Sequence, residues 1–237
     1  MIFYYIRHGD PIYSPNSLTP LGQRQAEAVA KRLALYGLDK IYSSPSNRAV
    51  MTATPTCELL KMEPELLDFA DEAHAWRDFT IKRDGKTGWL FYDKTIAELF
   101  LSKEIRDLGD RWYEHPMLAE LPCGHGIRRV YDEMDAFFAE LGFEHERYTG
   151  RYKVTKPNEQ RIALFAHQGF SMAFLSCLLD IPYPAICMHF DMTHTGMTVI
   201  EFADNKEYCS PRVLTLSSDA HLYREGLPTK YNNGLYI

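Results

Sequence analysis

The chain has 237 residues, 46% of them hydrophobic, and a formal net charge of −6. It is long enough to bury a core, and too acidic for a nucleic-acid binder, whose affinity comes from Lys and Arg neutralising phosphates. A few arginines gathered in one cleft would still hold a small anion. The five cysteines (57, 123, 177, 187 and 209) are odd in number and form no CxxC pair. That pattern fits reduced thiols and a cytoplasmic location better than a disulfide framework. The first residues lack the basic start of a signal peptide, and no apolar run approaches the ~20 residues of a membrane span. No membrane partner is therefore expected.

Ile2, Phe3, Tyr4, Tyr5 and Ile6 are too few and too β-prone for a helix, and they predict a buried strand running into Arg7-His8-Gly9. After a loop rich in Pro, Ser and Asn, Thr19 predicts an N-cap with Pro20 at the first helical position. Ala26, Val29, Ala30 and Leu33 share one face of that helix, and Gly37 is placed to end it. Residues 38–44 predict a second strand, and 46–53 open another helix. Pro55 is expected to break or kink this helix, with Thr54 capping a restart.

The stretch from about 77 to 125 differs from its flanks. It is rich in charge and in aromatics (Phe79, Trp89, Phe91, Tyr92, Trp112, Tyr113), with one helix expected near 94–106. We read it as an insertion or lid over a single domain spanning 1–237. Beyond it, Ile127, Val130, Tyr131, Met134, Phe138 and Leu141 mark an amphipathic helix closed by Gly142. Residues 161–166 predict a buried strand, 170–180 an apolar helix stopped before Pro182, and 196–202 and 212–217 two further strands. Alternating strands and helices predict an α/β three-layer sandwich, with helices on both faces of a mostly parallel central sheet.

Ligands of open α/β sheets bind beyond the carboxyl ends of the strands. Three predicted strands end suggestively: the first in Arg7-His8-Gly9, the second in Ser43-Ser44-Pro45 ahead of Arg48, and the third in His167-Gln168-Gly169. If these strands are neighbours, two arginines and two histidines meet at one edge. Gly9 and Gly169 would let backbone N–H groups approach a ligand. Guanidinium forks and helix N-termini suit a phosphoryl group, and a histidine held against it can attack phosphorus.

The segments IRHG, LTPLGQRQA (18–26), YSSPSNRAVMTA (42–53) and FAHQGF (165–170) resemble, in order, the histidine phosphatase superfamily, which includes the phosphoglycerate mutases. The resemblance covers roughly 1–60 and 125–202. It implies a phosphoglycerate mutase-like fold and makes His8 the nucleophile, with Arg7, Arg48 and His167 at phosphate-pocket positions and Gly9 beside them. It also implies a carboxyl group that protonates the leaving oxygen and then helps activate water. Within LLDFADEAHAW (66–76), Glu72 is the choice for this acid and Asp71 the reserve.

The implied activity is hydrolysis of a small phosphomonoester through a phosphohistidine, with no metal and no cofactor. RHGDPIYSPN in place of RHGESxWN, and Leu18-Thr19-Pro20-Leu21-Gly22, favour a phosphatase over a cofactor-dependent mutase. The mutase, and a phospho-ligand sensor or scaffold without turnover, are the alternatives. Any one histidine taken alone is more often structural than catalytic, and Arg7 or Arg48 alone would read as an ion-pair residue. His189, Asp191 and His194 suggest a metal site only weakly, because they lack the HExxH spacing. Lys82, Arg83 and Lys86 are candidates for contact with the rest of a substrate, or plain surface. Lys103, Glu104, Arg106 and Asp107 read as a solvated face.

Overall fold

A computed structural model, describing residues 1–203, 207–231 and 235, places the first strand, β1 (Ile2–Arg7), inside a sheet that is six-stranded among those residues. Successive side chains of a strand point to opposite faces, and β1 uses both. Phe3 and Tyr5 enter one apolar core, while Ile6 enters another with Tyr4 packed against it. A small ribbon, β2 (Pro11–Ile12) and β3 (Ser17–Leu18), then leads into α1 (Pro20–Ala34). Thr19 is the N-cap, its hydroxyl accepting from the Gly22 N–H at 3.0 Å. The helix stops at Ala34. Gly37, at φ +71°, lies in the turn beyond the cap and leads to β4 (Lys40–Ser43).

The next helix, α2 (Asn47–Leu60), runs through Pro55 without the expected break or restart. Proline removes the N–H that would bond to the Met51 carbonyl. The Thr54 hydroxyl, however, donates to the Val50 carbonyl at 2.9 Å, and Ala49, Thr52, Ala53, Thr56 and Cys57 bury a continuous stripe. Tertiary packing thus outweighs one missing bond. Then come β5 (Glu65–Leu66) and α3 (Glu72–Asp78).

The aromatic stretch holds a hairpin, β6 (Thr80–Arg83) and β7 (Lys86–Trp89), turned by Asp84 and Gly85, both at positive φ. Where one helix was expected there are two, α4 (Lys94–Phe100) and α5 (Lys103–Leu108). Ser102 separates them by capping the second, accepting from the Ile105 N–H at 3.3 Å.

The long helix α6 (Cys123–Glu140) takes Gly124, His125 and Gly126 into its first turn, and the chain turns at Gly142 with φ +94°. A hairpin of β8 (Phe143–Glu146) and β9 (Arg151–Val154) precedes β10 (Arg161–Ala166). The chain continues through α7 (Gln168–Leu179), α8 (Tyr183–His189), β11 (Met197–Glu201), β12 (Tyr208–Cys209), β13 (Arg212–Ser218) and α9 (Ala220–Arg224). Helix α7 starts at Gln168 rather than 170, immediately after the third strand end. All five cysteines are buried free thiols, and among the described residues no helix is long and apolar enough to cross a membrane.

The sheet order is β13–β11–β1–β10–β4–β5. Neighbours from β1 to β5 pair in parallel, whereas β11 is antiparallel to β1 and to β13. On one face, Phe3, Tyr5, Tyr42, Ile162 and Leu164 pack with Met134 and Phe138 of α6 and Phe170 and Phe174 of α7. On the other, Ile6, Ile41, Ala163 and Phe165 pack with Val29 and Leu33 of α1 and Ala53 and Cys57 of α2. The result is three layers, helices over both faces of a mostly parallel sheet. Phe138, fully buried with its ring 5.4 Å from that of Phe3, is typical of this packing, and truncating such a residue to Ala costs ~3–5 kcal/mol. Because β1, β10 and β4 are parallel neighbours, their carboxyl ends bring Arg7, His167 and Ser44 to one edge.

Candidate active site

Arg7 closes β1 and is 1% exposed. One guanidinium nitrogen donates to the Met192 carbonyl and the other lies 2.9 Å from His194 Nε2. Arginine only donates, so His194 Nε2 accepts and the ring proton sits on Nδ1, 3.5 Å from Asp10 Oδ1. Asp10 also accepts from Lys230 Nζ at 2.9 Å and from the Thr19 hydroxyl at 2.8 Å. Burial opposes the Asp10 carboxylate, but those hydrogen bonds outweigh it and hold its pKa below the usual range. A histidine and a buried carboxylate thereby brace the guanidinium from behind.

His8 follows directly. Its Nδ1 lies 2.7 Å from the Gly9 carbonyl oxygen, so Nδ1–H donates and Nε2 keeps the lone pair. Burial, then the nearby His167, Arg7 and Arg48, push the His8 pKa well below its ordinary value, so the ring is neutral at physiological pH. Gly9 does not offer its N–H to a ligand as expected. That N–H donates to Thr52 Oγ1 at 3.0 Å, and a Cβ here would sit 2.6 Å from the Gly22 carbonyl oxygen. Gly9 therefore serves to orient His8 and to admit α1 close to the strand end.

Arg48, on the first turn of α2, reaches the same place. Its NH1 donates to Asn16 Oδ1 at 3.2 Å, and its guanidinium lies 5.7 Å from the Tyr13 ring centroid. His167, fully buried at the end of β10, bonds Ser44 Oγ through Nε2 at 2.8 Å, and its ring centroid is 5.2 Å from that of His8. Burial, Arg48 and Arg7 lower its pKa well below the ordinary value.

Glu72 opens α3 and crosses to the N-terminus of α7. Its Oε1 accepts from the Phe170 N–H at 3.0 Å, and its Oε2 lies 3.3 Å from His167 Nδ1. Burial pushes its pKa up to about 7, although Arg48, Arg7 and the Phe170 N–H all pull it down. The carboxyl is therefore half protonated near neutral pH. Asp71 lines the cavity mouth, but its Oδ1 caps α3 by accepting from the Ala73 N–H at 2.9 Å. The position of α3 is fixed from its far end: buried Asp78 accepts from Arg129 of α6 at 2.9 Å and from Arg77 at 2.8 Å. At α7, Gly169 has no Cβ, and one placed there would overlap Trp89 and Glu72 Oε1.

These groups border a cavity of about 640 Å³ that Arg7, His8, Arg48 and Glu72 share with the rings of Tyr13, Trp76, Trp89, Phe91 and Tyr92, Trp89 lying beside Glu72 at Gly169. The aromatic stretch supplies Trp89, Phe91 and Tyr92 to that lining. Of the two readings of its basic residues, the surface one fits: Lys82 and Lys86 are exposed, and Arg83 pairs with Asp93 at 2.6 Å. The weighed metal trio also has other partners, since His194 meets Arg7 and Asp191 meets the Gln168 amide. Among the described residues no group of three or more His, Cys, Asp or Glu is gathered to hold a metal. Lys103, Glu104, Arg106 and Asp107 do form an exposed face, with Lys103 bonded to Asp107 at 2.5 Å.

Sequence reading missed Asp10, Asn16, Lys230 and the bracing role of His194. Asp10 alone had a local signal, its adjacency to Arg7-His8-Gly9. Lys230 lies 220 residues from its partner, a pairing that no sequence pattern announces.

A profile of the histidine phosphatase superfamily (branch 1) matches residues 3–212. Phosphoserine phosphatase 1 of Hydrogenobacter thermophilus is 27% identical over 155 residues, 61% of this chain and 65% of that protein. A PE-PGRS family protein of Mycobacterium tuberculosis is 35% identical over 86 residues, 32% of this chain and 15% of that protein. The chain thus spans less than two thirds of the length of either relative. Among solved structures, phosphoserine phosphatase of Entamoeba histolytica with 3-phosphoglyceric acid matches at a TM-score of 0.59 and 19% identity, over 93% of this chain and 98% of that one. Mycobacterial glucosyl-3-phosphoglycerate phosphatase with VO3 matches at 0.60 and 20% identity, over 92% and 99%. Both likenesses are of fold, the phosphoglycerate mutase-like α/β sandwich. With the profile spanning nearly the whole sequence, the chain belongs to the histidine phosphatase superfamily.

Proposed function

We propose that this chain is a phosphatase that hydrolyses a small phosphomonoester in two steps through a phosphohistidine at His8. The observation that carries the reading is the fixed tautomer of His8. With Nδ1–H donated to the Gly9 carbonyl, a neutral imidazole keeps its Nε2 lone pair at a cavity wall shared with Arg7, Arg48 and Glu72.

In the first step Nε2 attacks phosphorus, the ester P–O bond breaks, and the leaving oxygen takes a proton from Glu72. In the second, water attacks the phosphohistidine, the Glu72 carboxylate takes a proton from it, and the P–N bond breaks with its electrons returning to Nε2. Arg7 and Arg48 neutralise the phosphoryl oxygens, with His167 beside them. The cycle needs no metal. Relatives that are themselves phosphatases support the hydrolytic reading over phosphotransfer.

The test is phosphate release from p-nitrophenyl phosphate with a chelator present. Chelator-resistant turnover by the wild type that vanishes in His8→Ala is the expected result. Equal rates in the two proteins would overturn the reading.

A further inference from the structure

The cavity is much larger than a phosphoryl group requires. At about 640 Å³ it falls among the roughly 300–1,000 Å³ pockets that enclose drug-sized ligands. Its outer wall is built of rings in mutual contact. Trp76 and Trp89 meet edge to face at 5.1 Å and 89°, Trp89 and Phe91 lie nearly parallel at 5.8 Å and 12°, and Tyr92 meets Phe91 at 4.6 Å. Trp76 is 41% exposed and Tyr92 60%, so apolar ring surface faces solvent at the mouth. Ring surfaces so arranged attract another planar ring by offset stacking and edge contacts.

The charges at the cavity argue in the same direction. Among the described residues the cations lining it are Arg7 and Arg48, and both serve the phosphoryl group in the reading above. The carboxyl groups lining it are those of Asp71 and Glu72. A carboxylate on the leaving group would lose its hydration near Asp71 with no third lining cation to receive it, which is costly.

Resting on the phosphohistidine reading, we propose that the preferred substrate is a phosphomonoester whose leaving alcohol bears an uncharged planar ring and no carboxylate. Trp76, Trp89 and Tyr92 determine this preference. Glu72 and Trp76 lie one helical turn apart on α3, so the group that protonates the leaving oxygen and the ring that receives the leaving group are carried together.

The experiment compares 2-phenylethyl phosphate with O-phosphoserine, both unactivated esters of primary alcohols. Calorimetric binding to His8→Ala, which does not turn them over, is expected to favour the phenyl ester by roughly 5–150-fold, the range for stacking one ring on an aromatic platform. Adding Trp89→Ala should collapse that ratio, a readout that a general loss of stability does not move. Weaker, equal or undetectable binding of the phenyl ester, or a ratio indifferent to Trp89, overturns the proposal. Phosphate release by the wild type is measured on the same two esters. If the binding preference holds and neither ester is hydrolysed, the phosphatase reading fails and the ring specificity stands.

Discussion

Replacing Glu72 by Gln removes a transferable proton while leaving an oxygen to accept from the Phe170 N–H. A positioned general acid is worth about 10²–10⁴-fold, so kcat/KM for an alkyl phosphomonoester, which reports only the steps up to loss of the alcohol, should fall by that factor. An activated aryl ester, whose leaving oxygen stabilises its own charge, should lose far less. The pH profile is the sharper test. With a pKa of about 7, Glu72 is about nine-tenths protonated at pH 6 and about one-hundredth protonated at pH 9. Wild-type kcat/KM on the alkyl ester should therefore drop by one to two orders of magnitude across that interval, whereas Glu72→Gln should show no such limb.

Stability supplies an independent check on the same residue. A carboxyl whose pKa is raised on folding contributes most below its unfolded value of about 4.5, and that contribution is lost as pH rises through about 7. Glu72→Gln should thus match the wild type near pH 4 and exceed it by up to about 3 kcal/mol at pH 8. Steady-state rates on both esters and denaturant melts at both pH values make the measurement. Equal losses of kcat/KM on the alkyl and aryl esters, or an alkaline limb that survives in Glu72→Gln, would refute the assignment of the leaving-group proton to Glu72.

Two further substitutions probe how the site is held. Gly169→Ala would push a methyl group into Trp89 and Glu72, so kcat should fall at least about tenfold with an unchanged far-ultraviolet dichroism spectrum. Lys230→Met strips a hydrogen bond from buried Asp10 and should cost about 1–3 kcal/mol at pH 7 by denaturant titration. Because the Asp10 pKa is depressed on folding, the carboxylate's contribution is present above its unfolded value of about 4 and lost below it, so the penalty should shrink in acid.

What was readable in advance was what is local. Unbroken apolar runs identify β1 and β10 because each strand is buried on both faces, and the cavity lies beyond their carboxyl ends. Thr19-Pro20 and Gly142 mark their boundaries by backbone chemistry that needs no tertiary partner. The continuity of α2 through Pro55 was not readable, since it depends on the Thr54 hydroxyl and on the stripe buried beneath the helix. The hairpin at Asp84-Gly85 and the cap at Ser102 did leave signals, a turn dipeptide and an N-cap residue, inside a stretch whose aromatic composition drew attention instead. The antiparallel placement of β11 and the Asp10–Lys230 contact arise only when the sheet assembles. Composition left the basic residues of the aromatic stretch as either substrate contacts or plain surface. The structure lines the cavity with Trp89, Phe91 and Tyr92 and leaves Lys82 and Lys86 in solvent.

The central claim is a covalent bond between phosphorus and His8, and trapping that bond tests it most directly. The protein is mixed with excess p-nitrophenyl phosphate, quenched within a turnover into denaturant at alkaline pH, where phosphohistidine survives, and digested for mass spectrometry. The structure predicts one added phosphoryl group on the peptide containing His8, absent in His8→Ala and more abundant in Glu72→Gln, where water attack is slowed. Full turnover with an unmodified His8 peptide at every quench time, or a phosphoryl group on another residue, would contradict it.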